Sequence, residues 1–209
     1  LYVEEINRIP EETLNVLITV MSEGEISVPR LGKVVGTDGF RLVAAMNPFD
    51  AVGTARISSA VYDRVCRVAM TYQSSADECA IVDRNLKANS QKNIAGVQPD
   101  AAWVTKVVEV VRRTRNHPDL RVGSSVRGAI DTALVASSLA EVRSSKNISA
   151  SIGLDSALVA ISGRVRIREG SVRNAEEVVA EIWNDVFGLS AGDESAGKAG
   201  APTGATTSN

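Results

Sequence analysis

The apolar positions come first as short runs and later at helical spacing. Leu1-Tyr2-Val3 reads as a buried strand, and it ends on two carboxylates, Glu4 and Glu5. After Asn7-Arg8-Ile9, Pro10 suits a first helical turn, where Glu11 and Glu12 complement the helix dipole. Leu14, Leu17, Ile18 and Met21 then recur on one helical face, and Gly24 marks the stop. The polar stretch from Glu25, with Gly32, Gly36 and Gly39, predicts an irregular hairpin or loop insertion. Residues 40–46, apolar apart from Arg41, predict a short buried strand that Asn47-Pro48 ends. A loop with Gly53 and Thr54, then Val61-Tyr62-Asp63-Arg64, leads into a third strand candidate over 65–72. Strands separated by helices and long loops predict a parallel α/β sheet.

From about Ser74 the helical period takes over, with helices predicted over 101–113, 126–142 and 175–187. Asn174 can cap the last of these, with Glu177 three residues on, and Gly188 can end it. The alternating stretch 163–169 fits either a short strand or an extended connection. After Leu189 the chain turns to Gly, Ala, Ser and Thr without period, which predicts a disordered tail. The expected organisation is an α/β portion over 1–73, a helical portion over 74–187 and a tail over 188–209.

Composition narrows the function classes. The 209 residues carry a net charge of −2, enough chain for one substantial core or two small ones and too balanced for a dedicated nucleic-acid binder. No run reaches the ~18 apolar residues that span a bilayer, and no signal segment opens the chain, so a cytoplasmic protein is expected. Cys66, Cys79 and His117 are too isolated for a disulfide framework or a metal site and read as structural. The chain opens without Met inside an apolar segment, as a domain cut within an element would.

Three features can carry chemistry. An apolar strand ending in Glu4-Glu5 gives a nucleotide hydrolase what it needs at the carboxyl edge of a parallel sheet: one carboxylate for the water shell of Mg2+, and a neighbour to activate a water. Paired acids before a loop are also common solvated surface. Asn47 closes the next strand with an amide that can both donate and accept, although Asn-Pro equally starts a turn. Arg127 sits at a helix start, where the dipole disfavours a cation unless an anion is near; a long arginine can instead bend into water.

The order of these features resembles that of MoxR-type AAA+ ATPases. Leu1-Tyr2-Val3-Glu4-Glu5-Ile6-Asn7-Arg8 resembles their Walker B strand and following loop, and the match continues through Met21-Ser22-Glu23. Phe40 to Pro48 looks like the sensor-1 strand with its terminal Asn. Tyr62-Asp63-Arg64-Val65 is similar to the arginine-finger segment, and Gly123-Ser124-Ser125-Val126-Arg127 to the sensor-2 helix start, so the resemblance covers roughly residues 1 to 187. It implies the C-terminal half of a P-loop AAA+ three-layer α/β core followed by an α-helical lid domain. It also implies ATP and Mg2+ as ligands. Glu4 would serve the metal and nucleotide, Glu5 would activate water, and Asn47 would sense the γ-phosphate. Arg127 would contact nucleotide from the lid, and Arg64 would reach a neighbouring subunit's site. The complete protein would be a homo-oligomeric ring that remodels or matures protein clients, von Willebrand factor A domain proteins among them.

Departures from the family pattern are Glu4 for the usual Asp, Val65 for Phe and Val126 for Pro. The G-x-x-x-x-G-K-[ST] phosphate loop is missing. Its near match, Gly192 to Ala199, has Ala199 in place of the metal-binding hydroxyl, two acids inside the cradle and a preceding helix, and is rejected. By itself the 209-residue chain is therefore expected to be inactive. Two other classes stand beside an ATPase: a catalytically silent interaction subunit of an AAA+ ring, and a DNA-associated motor using residues 25–39. That segment offers only Arg30 and Lys33 as cations and no aromatic platform.

Overall fold

The computed structural model describes residues 1–47, 57–90 and 97–189. The chain divides into two compact units, Leu1–Met70 and Thr71–Asn209.

In the first unit, β1 (Tyr2–Val3) leads through a 3-10 turn (Ile6–Arg8) to α1 (Glu11–Glu23). Helix α1 starts one residue later than predicted, because Pro10 is its extended N-cap, and it ends at Gly24 with φ 68°. The predicted hairpin forms from β2 (Glu25–Val28) and β3 (Gly32–Val35), antiparallel with Ile26 opposite Val34. Next come β4 (Val43–Ala44) and the short α2 (Ser59–Tyr62). Strand β4 pairs in parallel with β1, Tyr2 beside Val43 and Val3 beside Ala44. Among the described residues of this unit, the buried apolar side chains are Ile6, Leu14, Val20 and Val61.

Three expectations fail here. Leu1 and Tyr2, read as part of a buried strand, are 57% and 60% exposed, since β4 is the one strand beside β1 among the described residues. The stretch 40–46 contributes only the two residues of β4, and Val43 is 59% exposed, because β1 is the one strand beside β4 among the described residues and burial needs cover on both faces. The third strand over 65–72 does not form: those residues are exposed and without regular structure. A short apolar run becomes a strand only where another strand offers its ladder, and none does among the described residues.

The second unit is mainly helical: α3 (Ser75–Ser90), α4 (Ala101–Thr114), α5 (Val126–Val142), α6 (Ala150–Ile161) and α7 (Ala175–Phe187). Within the ambiguous stretch 163–169 only β6 (Arg166–Ile167) is strand, paired with β5 (Leu120–Val122) in a two-stranded ribbon, and a 3-10 turn (Ser162–Arg164) precedes it. Helix α4 puts Val104, Val107, Val108, Val110 and Val111 into one core with Ala129 and Ala133 of α5, Ala157 and Ile161 of α6, and Val178, Val179, Ile182 and Trp183 of α7. Trp183 stacks on Phe187 at 4.0 Å between ring centres and meets Trp103 edge-on at 6.2 Å. The capping box at Asn174 forms as expected: Glu177 N–H donates to Asn174 Oδ1 at 2.8 Å and Asn174 N–H to Glu177 Oε2 at 3.2 Å. No helix among the described residues is long and apolar enough to cross a membrane.

Candidate functional site

Strands β1 and β4 run out at the same end, the carboxyl edge at which parallel sheets hold ligands. The chain leaves β1 through Glu4-Glu5 and β4 through Ala45-Met46-Asn47. Two bonds keep these exits side by side: Ile6 N–H donates to Ala45 O at 3.1 Å, and the buried Asn7 donates from Nδ2 to Asn47 O at 3.2 Å. Glu4, Glu5 and Asn47 are thus gathered on one edge, all exposed. The Glu4 carboxylate has no hydrogen bond or ion pair among the described residues. Glu5 stands in left-handed backbone, φ 49° and ψ 47°, which costs an L side chain about 1–2 kcal/mol. Its Oε2 lies 2.9 Å from Arg8 Nε, with the two side chains 61% and 49% exposed, so solvent screens the pair.

Arg64 follows α2 instead of entering a strand, which corrects the sequence expectation. Its Nε donates to Ser22 Oγ at 2.9 Å and its Nη1 to Ala60 O at 2.7 Å, with no carboxylate partner among the described residues. Arg127 lies in the second unit, on the first turn of α5. It is exposed, that turn contains no acid, and its guanidinium has no hydrogen bond or ion pair among the described residues. The conflict between its charge and the helix dipole therefore stands uncompensated within this unit.

The sequence reading missed a buried charge network behind the start of α5. Glu78 of α3 accepts from Arg112 Nη1 at 2.9 Å and from Arg115 Nη2 at 2.6 Å, and Arg115 Nε donates to Ser124 O at 2.9 Å. The signal available in the sequence was a pair of arginines three apart at the end of an otherwise apolar helical stripe.

The residues read as structural differ among themselves. Cys66 is exposed and Cys79 half-buried. His117 accepts at Nδ1 from Asp119 N–H at 3.2 Å and turns Nε2 toward Glu181 at 3.6 Å. The Glu181 carboxyl is held below its ordinary range, first by hydrogen bonding from Arg173, and the Arg173 guanidinium is pushed above its own by the same bond. No cluster of three or more His, Cys, Asp or Glu that could hold a metal occurs among the described residues. Pro48, the loop with Gly53 and Thr54, and the rejected phosphate-loop match at 192–199 lie outside the described residues.

Residues 1–65 match the AAA domain of the dynein-related subfamily, a span that includes Glu4, Glu5, Asn47 and Arg64 and stops before the second unit. The uncharacterized protein YeaC of Bacillus subtilis (strain 168) is 28% identical over 144 residues, which cover 61% of this chain and 45% of YeaC. The chain thus spans less than half the length of that relative. A crystal structure of a "putative ATPase" from Cytophaga hutchinsonii ATCC 33406 superposes with a TM-score of 0.39 at 16% identity, over 87% of this chain and 63% of that one.

Proposed function

We propose that the protein is an ATP-hydrolysing AAA+ subunit of MoxR type, working in a homo-oligomeric ring and coupling hydrolysis to the remodelling or maturation of protein clients, von Willebrand factor A domain proteins among them. The observation that carries this reading is the shared edge of β1 and β4, where the segments bearing an acidic pair and an amide leave side by side within a span matching the AAA domain. In it, Glu5 accepts the proton of the attacking water as the water oxygen bonds to the γ-phosphorus and the bond to the β-phosphate oxygen breaks. Releasing Glu5 from Arg8 costs under about 1 kcal/mol, since exposed pairs contribute no more.

Mg2+ retains most of its waters and needs only one or two carboxylates, which suits the exposed Glu4. Held through Glu4, such an ion would supply neutralisation of the nucleotide's phosphate charge. Asn47 donates its amide to the γ-phosphate, and Arg127 meets the nucleotide's negative charge from the lid. Arg64 spends two N–H donors on Ser22 and Ala60 and keeps three for a phosphate in the adjacent subunit.

The deciding experiment is Glu5→Gln in the complete protein. ATP should stay bound while hydrolysis slows by about 10²–10⁴-fold, the usual contribution of a positioned base. Turnover near the wild-type rate would remove Glu5 from the role and leave Glu4 as the candidate. A wild-type protein that binds ATP and never turns it over would instead be the silent subunit of a ring.

A further inference from the structure

We infer that Arg115, locked in place by Glu78, is the positioning residue that sets the start of α5 and, through it, the direction of Arg127; the inference rests on the reading of Arg127 as a nucleotide contact. Residues 123–128 read Gly-Ser-Ser-Val-Arg-Gly, and the ones before Arg127 are gripped by the end of α4. A Cβ on Gly123 would lie 2.5 Å from Arg115 Cα and 2.6 Å from Arg115 N, so glycine alone lets the backbone rest on that last turn. Ser124 is fully buried, and both its backbone polar groups are taken by side chains at the end of α4: its N–H donates to Thr114 Oγ1 at 2.9 Å, and its carbonyl accepts from Nε of Arg115, the C-cap, at 2.9 Å. Thr114 is in turn oriented by donating to Val111 O at 2.6 Å. A Cβ on Gly128 would sit 2.2 Å from Ser124 Oγ, so the serine hydroxyl fills the space which that glycine leaves.

Arg115 has little freedom of its own. Its side chain is 9% exposed and that of Glu78 is 1% exposed. Glu78 takes Arg115 Nη2 on Oε1 at 2.6 Å and Nη1 on Oε2 at 3.3 Å, a two-point grip that fixes the guanidinium plane. The Tyr72 ring lies 3.8 Å from Arg115 Cζ, and Arg112 Nη1 shares Glu78 Oε2 while also donating to Gln73 O at 3.1 Å. Nε is left with one direction in which to donate, at Ser124 O. The local cap does not do this job, since the Ser125 side chain makes no capping bond to α5. A lysine at 115 offers a point charge without the planar fork and cannot hold both Glu78 and Ser124 in the same geometry.

The test uses Arg115→Lys and Glu78→Gln in the complete protein, each checked for folding by circular dichroism, with Glu78→Gln standing in should Arg115→Lys not fold. The first readout needs no nucleotide. Hydrogen exchange at the Ser124 and Gly128 amides should speed by about tenfold or more, while Val107, Val108 and Val111 in α4 keep their rates, as a local opening requires. Unchanged exchange at 124 and 128, or equal acceleration across the unit, overturns the positioning role. The second readout is equilibrium ATP affinity. Arg115→Lys should weaken it several-fold in the wild-type background and not at all in an Arg127→Ala background; additive losses overturn action through Arg127. If Arg127→Ala by itself leaves affinity unchanged, the reading of Arg127 falls, while hydrogen exchange still decides whether Arg115 sets the turn.

Discussion

Glu5 does little for the fold it sits in: its backbone is left-handed and its carboxylate is exposed. Strain of this kind persists where the surroundings impose it and a site uses it. Glu5→Gly and Glu5→Ala both delete the carboxylate, but only glycine relieves the backbone. The Gly variant should therefore be the more stable by about 1 kcal/mol in urea denaturation, reversing the usual order; equal stabilities would mean that the backbone at residue 5 is not left-handed in solution. Glu181 gives a pH-dependent case. Its carboxyl is lowered from 4.5 in the fold by Arg173, so the unfolded chain binds the proton more readily, and the pair's contribution is present above about pH 4.5 and lost as pH falls through the lowered value. With Glu181 45% exposed, wild type should exceed Glu181→Gln by only about 0.2–1 kcal/mol at neutral pH. That gap should close in acid; a gap that persists at low pH would mean the ion pair is not its source. That Glu4, Glu5 and Asn47 stand at strand exits was legible in the sequence, because each follows an apolar run, a local pattern. The pairing of Glu78 with Arg115 was not, because they meet across 37 positions and the arginines that end the apolar stripe of α4 do not name their partner.

At the scale of elements, the boundaries that the sequence predicts best are those written in caps and period. Helix α5 spans 126–142 as expected, and α7 has its capping box and its C-terminal Gly188 at φ 71°. Asn174→Ala should destabilise the second unit by about 1 kcal/mol, the usual worth of such a cap, measured as a shifted urea midpoint at constant slope; no shift would mean the box is not formed in solution. Helix α6 was not predicted individually; between Ile152 and Ile161 its buried face is made of small residues, Gly153, Ser156, Ala157 and Ala160. Its packing is nonetheless close: a Cβ on Gly153 would lie 2.6 Å from the Trp183 ring. The failed strand over 65–72 shows the opposite limit. A helix carries its hydrogen bonds within its own sequence, whereas a strand depends on a neighbour that no local pattern names.

At the scale of the whole molecule, the AAA match and four of the five candidate residues belong to the first unit, and Arg127 to the second. If Arg64 acts on the adjacent subunit, Arg64→Ala and Glu5→Gln subunits of the complete protein should each be inactive alone, yet regain partial hydrolysis when mixed, since some interfaces then join an intact finger to an intact Glu5. Absence of recovery at every ratio, with rings verified by sedimentation, would take the finger role from Arg64. The aromatic group of the second unit has an optical consequence. Both of the protein's tryptophans, Trp103 and Trp183, sit in that one cluster. Intrinsic tryptophan emission therefore reports the melting of the second unit while the first stays dark, whereas far-ultraviolet dichroism registers both. Comparing the two signals along one denaturation curve reveals whether the units unfold together or in turn, with no label attached.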